Sequence, residues 1–94
     1  MKKMTLEFKL PVSIIREDKQ FIAYTSALDL STSGQNLAEV KKRFNEIVSI
    51  FFEELVQKGT LEDVLYSLGW KCIQKIWNPP VVISHDLQTI KATV

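Results

Sequence analysis

The chain has 94 residues, which is enough for one domain with one hydrophobic core and too short for a catalytic domain with a separate regulatory one. Apolar residues make up 46% and charged residues 24%, which excludes the composition of a disordered chain, and a formal net charge of +1 excludes an overall field strong enough to draw the protein onto nucleic acid or anionic lipid. A single cysteine, Cys72, and a single histidine, His85, exclude an intrachain disulfide and a Cys/His zinc cluster.

The opening Met1-Lys2-Lys3-Met4 is followed by Glu7, Lys9 and Pro11 rather than by an apolar signal-peptide core. No stretch approaches the ~20 apolar residues of a membrane span. A cytoplasmic location is expected from these features. From Thr5 to Ile14 apolar and polar residues alternate, with Leu6, Phe8, Leu10, Val12 and Ile14 on one side, which is the period of a half-buried strand. Pro11 falls on the polar side and has no N–H for a ladder, so this strand is expected at a sheet edge or a bulge.

The polar run Glu17-Asp18-Lys19-Gln20 separates it from Phe21-Ile22-Ala23-Tyr24-Thr25, and the pair reads as a hairpin. With a two-residue loop at Asp18-Lys19, Ile14 faces Ala23 and Arg16 faces Phe21, leaving Ile15, Ile22 and Tyr24 on the opposite face; a longer loop reverses the faces. A short third strand is expected over Leu30 to Ser33, ended by Gly34.

Asn36 and Glu39 have the spacing of a capping box, so a helix begins there. Leu37, Val40, Phe44, Ile47, Val48, Phe51 and Leu55 then form one apolar stripe over about five turns, and Gly59 is placed to end the helix in a left-handed conformation. Thr60 caps a second helix of about two turns from Leu61 to Leu68, stopped by Gly69. Trp70 to Trp77 alternates loosely as a fourth strand, and Asn78-Pro79-Pro80 then forces an extended path into Val81-Val82-Ile83, a segment able to pair as a strand. The fold class is therefore α+β, in the order β-β-β-α-(α)-β, with one long helix packed on a small antiparallel sheet. Ala23 is expected to give that helix room for close approach.

No constellation of catalytic groups emerges. Glu7 sits on the polar side of the first strand, Asp29 in a turn, Glu39 at a cap, and Glu53-Glu54 on the polar side of a helix, so no set of acids converges as two-metal hydrolysis requires. His85 has no nucleophile placed beside it and reads as a solvated tail residue. Cys72 reads as a small buried hydrophobe, reactive only if exposed beside Lys71. Lys41-Lys42-Arg43 is the densest basic run and a possible phosphate contact, with Glu39 and Glu46 placed for local ion pairs. Ile15, Ile22 and Tyr24 form an apolar cluster on the second sheet face, either an interface or a surface covered by Trp70 or by the tail.

Phe21-Ile22-Ala23-Tyr24, then Ala27-Leu28-Asp29-Leu30, then Thr32-Ser33-Gly34-Gln35-Asn36-Leu37-Ala38-Glu39, together with Leu68-Gly69-Trp70-Lys71 and Trp77-Asn78-Pro79-Pro80, resemble the HicB-like antitoxin family of type II toxin-antitoxin systems. The resemblance covers roughly Leu10 to Pro80. It implies a partial RNase H-like fold that binds and inhibits a small basic RNase toxin, in a family whose members usually form dimers or larger assemblies. Many members carry a C-terminal DNA-binding module. The residues after Trp70 offer no second helical pair, and the turn before Ser31 lacks the Gly-Cys common in the family.

On this basis residues 1–77 are expected to form the HicB-like domain and 78–94 a Pro-bounded extended tail suited to strand exchange or an interface. The expected role is inhibition of a toxin by occlusion, with no cofactor and no enzymatic activity; a nucleic-acid-binding regulator or general interaction module is the alternative. Expected partner-binding residues are Ile15, Ile22, Tyr24, Val81, Val82 and Ile83, with a homodimer formed through the last three.

Overall fold

The computed structural model describes residues 8–94. Three strands, β1 (Ser13–Glu17), β2 (Gln20–Thr25) and β3 (Leu30–Gly34), form an antiparallel meander. They are followed by α1 (Leu37–Lys58), α2 (Leu61–Ser67) and a separate two-stranded hairpin, β4 (Lys71–Ile73) and β5 (Ile76–Asn78).

The β1–β2 loop is the two-residue Asp18-Lys19, and the register pairs Ile14 with Ala23, Ile15 with Ile22 and Arg16 with Phe21, as the loop length requires. Asp18 takes the left-handed φ of 57° at the first loop position. The first strand differs from the sequence expectation in its bounds. Thr5, Leu6 and Glu7 lie outside the described residues, and Phe8 to Val12 form no ladder, which starts only after Pro11 and its missing N–H. Phe8 leaves the sheet and meets Trp70 edge-on, with ring centroids 5.2 Å apart, and Phe52 at 5.1 Å.

Helix α1 is capped as its sequence indicates at both ends. Asn36 Oδ1 accepts from the Glu39 N–H at 2.8 Å, and Gly59 turns left-handed with φ 67°. The reciprocal arm of the capping box is replaced: Glu39 Oε1 pairs with Arg43 Nη2 at 2.9 Å, one turn on. Asn36→Ala removes the cap acceptor and is expected to destabilise the fold by about 1 kcal/mol in urea titration; an unchanged midpoint would contradict the assignment. In α2 the Thr60 side chain makes no cap bond, and the helix begins on the backbone bond from the Val64 N–H to the Thr60 carbonyl, 3.0 Å.

Helix α1 rests mainly on β3 and β2. Ala23, fully buried, packs with Val40 and Phe44 in one cluster. The missing side chain of Gly34 completes this approach: a Cβ there would stand 2.8 Å from the Val40 nitrogen. The second cluster, Ala27, Leu28, Leu65 and Trp70, lies at the α2 end, with Phe8, Leu10 and Phe52 against it. Because the helix sits over β3 and β2, Val12 and Ile14 are not covered by it as their alternation suggests, and Ile14 stays 37% exposed on edge strand β1.

Trp70 to Trp77 is a hairpin and not one strand. Gln74 and Lys75 both adopt positive φ, 51° and 65°, the pattern of a two-residue type I′ turn, and this reverses the chain between Ile73 and Ile76. Trp77 is held by Tyr66 of α2, edge to face at 5.0 Å. Cys72 is exposed, contrary to the buried reading, because a two-stranded sheet at the periphery has no layer to enclose it. Val81-Val82-Ile83 forms no ladder, and residues 81–94 run without regular structure and exposed throughout. No helix among the described residues is long and apolar enough to cross a membrane.

Candidate functional site

The meander gives each strand position a defined direction. Ala23, Phe21 and Thr25 face α1, so Ile15, Ile22 and Tyr24 share the other face with Ser13, Ser31 and Ser33. Trp70 does not cover that face. Its indole is buried on the opposite side of the meander, where Nε1 donates to the Ala27 carbonyl at 2.7 Å. The tail does not cover it either, being exposed along its length. Ile15 therefore stands 52% exposed, beside half-buried Ile22 and Tyr24.

The electrostatics of this face are one-sided. The outward positions of the three strands are Ser13, Ile15, Glu17, Gln20, Ile22, Tyr24, Ser31 and Ser33, with no lysine or arginine among them. Glu17 lies at the hairpin end, and at the other end Asp29 accepts from the Tyr24 hydroxyl at 3.3 Å. The surface has an apolar centre, a hydroxyl-rich surround and carboxylates at its limits, which is the anatomy of a protein-binding patch.

The edges of the sheet differ from each other. With a two-residue loop, Glu17 and Gln20 form the bonded pair that closes the hairpin, so bonded and non-bonded pairs alternate from there. The N–H and C=O groups of Ile14 and Arg16 then point away from β2. By the same alternation, those of Ser31 and Ser33 point outward from β3. Arg43 Nη1 donates to the Ser33 carbonyl at 3.1 Å, occupying part of that edge. No comparable group closes the β1 edge among the described residues.

Of the basic run, Arg43 is engaged by Ser33 and Glu39, while Lys41 and Lys42 are exposed on α1. His85 is exposed in the tail, near a bond between the Ser84 hydroxyl and Asp86 Oδ2 of 2.7 Å. Among the described residues no three His, Cys, Asp or Glu side chains gather where they could hold a metal ion. The structure thus brings Ile15, Ile22 and Tyr24 together, sets Val81, Val82 and Ile83 apart from them, and places β1 at the sheet edge, as Pro11 indicates. The parity of the Asp18-Lys19 loop is the sequence signal that selects Ile14 and Arg16 as the residues whose backbone groups point out from this edge. Comparison with known proteins gave no match: no family model, no curated protein and no solved structure is significantly similar to this chain.

Proposed function

We propose that this protein is a HicB-like inhibitor of the antitoxin type, which docks onto a small basic RNase toxin in the cytoplasm and covers its active surface without cofactor or turnover. The observation that carries the reading is the uncovered outer face of the meander, with Ile15, Ile22 and Tyr24 at its centre and no basic residue among its outward strand positions. An apolar centre supplies affinity on desolvation, and the carboxylates of Glu17 and Asp29 favour a basic partner over a phosphate backbone. The three strands followed by a capped helix also fit the motif order of the resemblance, in which this unit is the partial RNase H-like core. A nucleic-acid regulator working through Lys41, Lys42 and Arg43 has less support, since Arg43 is already bonded within the fold.

Co-expression with the product of the adjacent reading frame tests the proposal. The neighbour is expected to be a short basic protein that arrests growth alone, is neutralised by this chain and co-purifies with it. Ile15→Asp, at an exposed position that leaves the core intact, is expected to weaken the complex by about 30-fold or more, the effect of a central hot-spot residue. A neighbour that is neither toxic nor bound sinks the reading.

A further inference from the structure

We infer that two copies of this chain exchange their C-terminal segments, each laying residues from Val81 onward along the β1 edge of the other, which is open among the described residues. The donor is a segment without a partner of its own. Ile83 is 90% exposed, and Leu87, Ile90 and Val94 are exposed as well, although all are apolar. The chain's accessible surface is 8245 Å², whereas a compact monomer of 10.8 kDa exposes about 5,500 Å², and the wholly exposed run 81–94 holds a share of that difference. Two such segments exchanged reciprocally place two copies of each of these apolar side chains in one interface.

The acceptor is equally defined. The outward N–H and C=O groups of Ile14 and Arg16 give an incoming strand its ladder. Strand β1 is open on both faces, at Ile14 on the helix side and Ile15 on the other. Val81-Val82-Ile83 is apolar at successive positions, so as a strand it presents apolar side chains to both faces, which is what this edge lacks. The other edge, at β3, is obstructed by Arg43 on the Ser33 carbonyl.

Position joins donor to acceptor. Val81 and Val82 share a shallow groove with Lys9 and Pro11, two to four residues ahead of β1. Pro80 is seated over the Gly69 turn, 3.4 Å from where a Cβ would stand, and with Pro79 it holds the backbone extended at the exit. The segment therefore leaves the body beside its own β1. Two copies related by a two-fold axis with their β1 edges facing bring each departing segment against the other's edge, an isologous and closed arrangement.

Sedimentation equilibrium on the full chain over the micromolar range tests this without any toxin, so a failed inhibitor reading would not affect the result. The chain is expected to be a dimer. Val82→Asp with Ile83→Asp changes only exposed tail residues, and Arg16→Pro removes an outward N–H while sparing the β2 ladder. Each is expected to raise the dimer dissociation constant at least about tenfold while the helical circular dichroism signal is kept. A monomeric wild type overturns the inference, as does a dimer that survives the tail substitutions and so pairs edge to edge without them. Should Arg16→Pro fail to fold, the tail variant alone decides.

Discussion

Trp70→Ala is expected to lower the unfolding free energy by about 3–5 kcal/mol, a large part of the about 5–14 kcal/mol available to a chain of this length. The indole is 2% exposed and stands where three segments distant in sequence meet. Phe8 and Phe52 contact it edge-on, at 5.2 and 6.4 Å, and Leu65 of α2 accepts its backbone N–H at 2.9 Å. The loop between β2 and β3 closes the remaining side. There the Ala27 N–H is bonded to Thr25 Oγ1 at 3.3 Å and the Ala27 carbonyl to the indole N–H, so both backbone polar groups of this buried residue are satisfied. Trp70→Phe keeps most of the packing and strands that carbonyl, and it is expected to cost about 1–3 kcal/mol. Urea denaturation followed by circular dichroism separates the two variants, and equal effects would show that the hydrogen bond contributes nothing of its own.

Gly34→Ala is expected to destabilise by about 1–3 kcal/mol. The sign is informative, because a glycine whose φ lies outside the left-handed region ordinarily gains about 0.4–1 kcal/mol on becoming alanine, through a less flexible unfolded chain. Here the added methyl meets backbone, the Val40 nitrogen at 2.8 Å and its Cα at 2.9 Å, in the first turn of α1. That turn is fixed by the Asn36 cap and by Arg43 on Ser33, so relief requires the helix to lift from β3 and open the Ala23–Val40–Phe44 cluster. A neutral or stabilising result would mean that the helix end yields freely.

These two residues mark where sequence reading stops. Local chemistry was legible: the loop Asp18-Lys19 predicts the register, Asn36 and Gly59 predict both ends of α1, and small Ala23 predicts close approach. Trp70 was not, since its partner carbonyl is 43 residues away and Leu68-Gly69-Trp70 carries no sign of that distance. Gly34 reads as a strand end, although its function is to admit a helix backbone. The β4–β5 hairpin was missed because its turn, Gln74-Lys75, lacks the glycine or asparagine that usually supplies positive φ. The exposure of Cys72 has the same cause: one longer strand has a core to face, and a peripheral hairpin has none. The candidate site was half legible. Alternation places Ile15, Ile22 and Tyr24 on one face, but that neither Trp70 nor the tail covers them depends on tertiary packing.

The bond from Arg43 to the Ser33 carbonyl also bears on solubility. A sheet with two bare margins is a monomer unit for a fibril, since each added molecule presents a fresh margin to the next. Placing a guanidinium on one margin makes each such addition costlier. Whatever strand joins at β1, an approach to β3 must displace this bond at Ser33, so the same arginine that fastens the helix to the meander also disfavours growth of the sheet from that side.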